Sequence, residues 1–211
     1  ELAAEFPAVP HYRTLVVSAY INLGYLFSAM HREPEAVEIS RAALEMAKKL
    51  ATEYPQVPAH RSALGICYGN LGWMLGKDKR DEQEAFYRAA IEVREKLAAE
   101  HPANEEHRTL YGSVCHELAH LLKDSGRLEE SRDCWTREAG VLEALVKDYP
   151  GNPVHARDLA DSRKELAALD KAIAQKEVER SPDSAAAHHR LAGFCARDSQ
   201  YAEALAALDQ A

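Results

Sequence analysis

The chain has 211 residues, 46% of them hydrophobic and 28% charged, with a net charge of −8 at pH 7. This is the composition of a folded chain rather than a disordered one. No apolar run approaches the ~20 residues of a membrane-spanning helix, and the acidic balance argues against nucleic acid as a partner.

Glu1 rather than Met opens the chain, and "LAAEFP" (2–7) repeats "LAAEHP" (97–102). Residues 1–8 are therefore expected to be the tail of a preceding repeat in a fragment of a larger protein, and any targeting segment would lie upstream. The segments "EFPAVPHYR", "EYPQVPAHR", "EHPANEEHR" and "DYPGNPVHA" then recur, with Pro7, Pro55, Pro102 and Pro150 spaced by 48, 47 and 48 residues. A second anchor keeps the same steps: "NLG" (22–24), "NLG" (70–72), "ELA" (117–119) and "ELA" (165–167). Two independent anchors with one period define an internal repeat.

The period predicts three units, at 9–54, 55–101 and 102–149, each of two helices. The proline stretches break the chain, because proline cannot continue a helix and biases the residue before it to extended geometry. In the first unit Tyr20, Leu23, Gly24 and Phe27 share one face of the first helix. Polar breaks follow at "HREPE" (31–35), "GKDKRDE" (76–82) and "KDSGR" (123–127). A second helix then carries Ala36, Ser40 and Ala43. From Pro153 to Arg180 there is no glycine and no further proline, which predicts one long irregular helix within 150–181. Ser181-Pro182-Asp183 would hand over to a C-terminal hairpin at 182–211. No single helix pair can bury its stripe alone, so neighbouring pairs must supply the core.

The order aromatic-x-x-Leu-Gly-x-x-aromatic, followed by a small residue 13 after the Leu, resembles the tetratricopeptide (TPR) repeat. Tyr20, Leu23, Gly24, Phe27 and Ala36 carry it in the first unit, and Tyr68, Leu71, Gly72, Leu75 and Tyr87 in the second. Cys115, Leu118, Ala119, Leu122, Ser131 and Trp135 carry it in the third, and Leu191, Ala192, Ala204, Leu208 and Ala211 at the C-terminus. The resemblance implies an all-α fold, a right-handed α-solenoid of TPR-like antiparallel helical hairpins. The period exceeds the usual ~34 residues. Long units of this kind resemble the arrays attached to large bacterial serine/threonine kinases and related multidomain proteins.

"HELAH" (116–120) is also the zincin signature, in which two histidines one helical turn apart hold zinc and the glutamate serves as general base. A metal-dependent hydrolase using His116, Glu117 and His120 is the alternative it raises. However, Leu118 and Ala119 are the core pair of the third unit, and Lys123 stands where the extended motif has glycine. A catalytic zinc also needs a third ligand and a dry, supported cleft. No metal, no cofactor and no enzymatic activity are expected.

The TPR resemblance places residues two before and two after each Leu-Gly pair in a concave groove. Tyr25, Trp73 and His120 would form a ladder of rings there. Asn22, Asn70, His116 and His120 would give polar register, with Lys77 and Lys123 near the helix ends. The carboxylate clamp of chaperone-binding TPR domains is not reproduced, since Tyr25 and Trp73 stand where a clamp asparagine would. The expected function is a non-catalytic scaffold binding a peptide or protein partner, or other domains of its parent chain, on the concave face. Neither nucleic acid nor membrane is expected as a partner. None of the four cysteines, Cys67, Cys115, Cys134 and Cys195, falls in a C-x-x-C pair. Free thiols of this kind fit a cytoplasmic setting.

Overall fold

A computed structural model describes residues 10–208, with the side chains of Lys77 and of residues 197–208 outside the description. Every regular element among the described residues is helical. They are α1 (Pro10–Ala29), α2 (Glu33–Glu53), α3 (Pro58–Met74), a short 3-10 turn (Lys77–Lys79) and α4 (Arg80–Glu100). α5 (Glu105–Asp124), α6 (Leu128–Asp148), α7 (Pro153–Arg180) and α8 (Ala185–Leu208) complete the chain. The result is an all-α fold of TPR-like antiparallel helical hairpins. It divides into two compact units, residues 1–121 and 122–211, within α5.

Local chemistry explains the helix ends. Proline occupies the first turn of α2, α3 and α7, where its missing N–H costs nothing. Asn104 and Asn152 accept hydrogen bonds from the backbone N–H groups of His107 (2.9 Å) and Val154 (3.1 Å), capping α5 and α7. Each link between repeats is the same turn, in which a backbone N–H bonds the carbonyl three residues back. Val57 returns to Tyr54, Asn104 to His101, Asn152 to Tyr149 and Ser184 to Ser181. Within hairpins, His31 (φ 55°) and Gly126 (φ 75°) adopt the left-handed conformation. Each is followed by an N–H bonded five residues back, Arg32 to Phe27 and Arg127 to Leu122.

In the first unit, α1 pairs with α2, α3 with α4, and α2 packs on α3 to join the hairpins. Val17, Ala43, Leu44, Ala47, Leu50, Cys67 and Leu71 form the core between them. The Leu-Gly glycines set the spacing. A Cβ at Gly24 would lie 2.6 Å from Ser40 Oγ, and one at Gly72 would lie 2.6 Å from the Tyr87 ring. The small residue of the first helix and the residue facing it on the second are therefore one packing unit. Arginines tie the two helices of each hairpin at its open end: Arg13 pairs with Glu53, and Arg61 pairs with Glu100 at 2.6 Å.

The second unit packs α6 on α7 and α7 on α8, around Ala139, Leu142, Leu145 and Leu159. α7 runs unbroken for 28 residues. The C-terminal segment differs from expectation. Instead of a hairpin over 182–211, the described backbone is a single helix, Ala185–Leu208. The polar run Arg197-Asp198-Ser199-Gln200 contains neither glycine nor proline, so nothing in it forces a turn. The segment at 1–8 lies outside the described residues.

Candidate functional site

The first unit places Tyr25, Trp73 and the two histidines of "HELAH" on its first helices, α1, α3 and α5. Tyr25 is 45% and Trp73 54% exposed, and their rings meet at 6.5 Å with a 49° tilt. Such a tilted pair holds both rings while leaving much of each in solvent. The Tyr25 hydroxyl donates to Asn70 Oδ1 at 2.6 Å, and Asn70 itself is buried. Asn70 thus orients the tyrosine across the junction between repeats. Asn22, its counterpart on α1, is exposed.

Around the midpoint of α5, His116 is half-buried and His120 exposed, their rings edge to face at 4.7 Å. Glu117 turns elsewhere: it is hydrogen-bonded to Tyr87 of α4, which together with burial raises the tyrosine's pKa, burial being the larger cause. The glutamate that a zincin needs over its metal is therefore engaged with the second helix. Among the described residues, no group of three or more His, Cys, Asp and Glu side chains is placed to hold a metal ion. Lys123 belongs to the second unit, where its Nζ lies 2.6 Å from Glu165 Oε2. The side chain of Lys77 lies outside the described residues.

Two features escape a reading of the sequence. Arg94 of α4 is buried, donating to Leu110 O at 2.7 Å and Gly65 O at 3.2 Å. Burial holds its guanidinium down to about 10. A Cβ on Gly65 would sit 3.1 Å from its Cγ, so the glycine admits the arginine between helices. The Gly-x-x-x-Gly spacing of Gly65 and Gly69 is the only signal for it. Secondly, the repeat links of the first unit set an aromatic or imidazole ring against a histidine of the next helix: Tyr54 against His60 at 5.6 Å and His101 against His107 at 5.6 Å. Within the second unit, Tyr149 stands 6.4 Å from His155 in the same way. The recurring histidine of the link segments is the trace of this corner.

The cysteines offer no reactive centre in the core. Cys67, Cys115 and Cys134 are buried and in no disulfide, and burial pushes the Cys67 thiol up to about 12. Among the described residues no helix is long and apolar enough to cross a membrane.

No family model matches the chain, and no curated protein matches it. Among solved structures it is similar to a de novo designed helical repeat protein, with a TM-score of 0.48 at 15% identity over 96% of this chain and 100% of that one. A thermophilic TPR protein of Thermus thermophilus matches with a TM-score of 0.29 at 15% identity, over 85% of this chain and 98% of that one.

Proposed function

We propose that the chain is a protein-interaction scaffold and that a peptide or helix of its partner lies across the first-helix face of the first unit, the concave face of the repeat. The observation that carries this reading is the pair Tyr25 and Trp73, both about half exposed and held in contact at 6.5 Å. Aromatic side chains bury much area at low entropic cost, and they dominate binding where a partner covers them. Asn70 serves the site by fixing Tyr25, while His116, His120 and the exposed Asn22 offer polar contacts along the same helices. A parent chain of the multidomain kinase type, with the array in the cytoplasm and its partner either a separate protein or another domain, belongs to the same reading. The hydrolase alternative gains no support, because Glu117 is engaged by Tyr87.

The test is selection of binding peptides from a displayed random library against the purified chain, followed by titration of the enriched peptides. Peptides that bind the wild type and compete with one another, but fail on Trp73→Ala, are the expected result. Peptides that bind Trp73→Ala with unchanged affinity would overturn the assignment of this face.

A further inference from the structure

The guanidinium of Arg94 is buried without a counter-ion. The residue is 6% exposed, and among the described residues no carboxylate pairs with it. The carbonyls of Leu110 and Gly65 accept from it, and its Nε is buried with no partner. Burial disfavours its charge, and the phenol of Tyr25 nearby favours it. A buried cation is costly unless it is paired, and two neutral carbonyls offset that cost only in part.

The chain's own acids stand elsewhere. Aspartate and glutamate number 34 against 26 lysines and arginines, yet neither α1 nor α3 contains one. The second helices hold them instead, five on α2 and six on α4. On α5 within the first unit, Glu105 and Glu106 lie in the first turn, and Glu117 is hydrogen-bonded to Tyr87. The helices that carry Tyr25 and Trp73 therefore bring Arg94 no counter-charge, in a chain that is acidic as a whole.

Glycine leaves the guanidinium within reach. Gly65, Gly69 and Trp73 follow one another at four-residue steps along one side of α3. A Cβ at Gly69 would lie 3.5 Å from Arg94 Nη2 and 3.7 Å from Val114 Cγ2. Gly69 is half-buried, so only bare backbone stands there between the guanidinium and the face that Trp73 shares. A neutral segment covering Gly69 would take the remaining water from the cation and add to its cost. A carboxylate would offset that cost with charge-assisted hydrogen bonds. Resting on the reading that a peptide crosses this face, we propose that the peptide carries an aspartate or glutamate whose carboxylate seats at Gly69 against Arg94. The contact comes from a second helix through a glycine of a first helix, and it needs none of the clamp residues that the sequence lacks.

The displayed random library tests this when its peptides are fused through their C-termini, so that side chains supply the carboxylates at that end. Peptides that require Trp73 should share an aspartate or glutamate at one fixed position. Replacing that residue by asparagine or glutamine should weaken binding to the wild type at least about tenfold. The same replacement should make no further difference on Arg94→Met or on Gly69→Ala. Gly69→Ala should melt no lower than the wild type, because its methyl would be in ordinary contact with Arg94 and Val114. It therefore reads the site even if Arg94→Met disturbs folding. Trp73-dependent peptides without a shared acidic position overturn the proposal and leave the aromatic face standing. So does an acidic position whose loss weakens binding to Gly69→Ala and Arg94→Met as much as to the wild type. Peptides indifferent to Trp73→Ala overturn the face itself, and the acidic contact with it.

Discussion

The hydroxyl of Tyr25 on α1 and the side-chain carbonyl of Asn70 on α3 lie 2.6 Å apart, bridging successive repeats. Asn70 is buried, so Tyr25→Phe would leave its oxygen without that donor. Such a loss costs roughly 1–2 kcal/mol, more than the net worth of an exposed hydrogen bond. Urea denaturation should show the midpoint of Tyr25→Phe lowered with an unchanged slope. An unchanged midpoint would mean that the bond contributes nothing to stacking.

Gly72 gives a second stability prediction, through backbone proximity rather than hydrogen bonding. A methyl there would press on the Tyr87 ring at 2.6 Å, and Tyr87 is 3% exposed with little room to move. Gly72→Ala should destabilise by ~1–3 kcal/mol, as overpacked core substitutions do. Gly140, which has nothing within 4 Å of an added Cβ, is the control. Gly140→Ala should be neutral or stabilising by up to ~1 kcal/mol, the helix-propensity difference. Combining Gly72→Ala with Tyr87→Leu should recover part of the loss, a coupling that a double-mutant cycle reads directly.

That packing pair also marks how far the sequence could be read. The Leu-Gly anchor recurs together with the residue that faces it on the second helix, as at Gly24 with Ser40 and Gly72 with Tyr87, so an all-α fold of helical hairpins was legible. Pro58 and Pro153 likewise announce helix starts. The junction chemistry was not legible, because it depends on which residues meet across 16 to 41 positions, as with Arg94 and Leu110 or Arg41 and Glu82. The single helix α8 was missed for the opposite reason. Ala192, Ala204 and Leu208 carry the repeat's residues, but they do not by themselves require a turn between them. Asn70 was expected in the binding face, and only the fold shows it employed in holding Tyr25.

The histidine corners predict a pH dependence. Burial, with Arg13 as the smaller cause, lowers the pKa of His60 below its ordinary value of 6.5. Burial also lowers His107, followed by His101 and Arg61, with Glu106 acting in the opposite direction. The folded state therefore binds fewer protons than the unfolded state once the pH drops below 6.5. Stability is fully present above that pH and is lost as pH falls through the lowered values. Glu53 and Glu100, held low by hydrogen bonds from Arg13 and Arg61, act in a separate window below pH 4.5. The melting temperature should fall between pH 7.5 and 5.5, a range chosen to lie within ~1 unit of the histidine value. The fall should be smaller when His60→Gln and His107→Gln are combined. An equal fall in the double variant would place the effect elsewhere.

Trp73 bears the functional proposal most directly, and its surroundings allow binding to be separated from folding. Its ring is 54% exposed on α3, while the chain's other tryptophan, Trp135, is 1% exposed. Quenching of fluorescence by acrylamide should therefore report chiefly on Trp73. A bound library peptide that covers the face should protect it, and one that binds elsewhere should not. Covering such a ring contributes roughly 2 kcal/mol or more to a protein interface, so Trp73→Ala should weaken binding at least about tenfold. The fold should tolerate the change, since Leu71, Gly72 and Met74 beside it are buried against other partners and keep their packing. Loss of the Tyr25 contact alone should cost stability by no more than ~1 kcal/mol. A Trp73→Ala chain that binds normally but melts far lower would identify the ring as packing between repeats, and the partner face would then have to be sought elsewhere on the molecule.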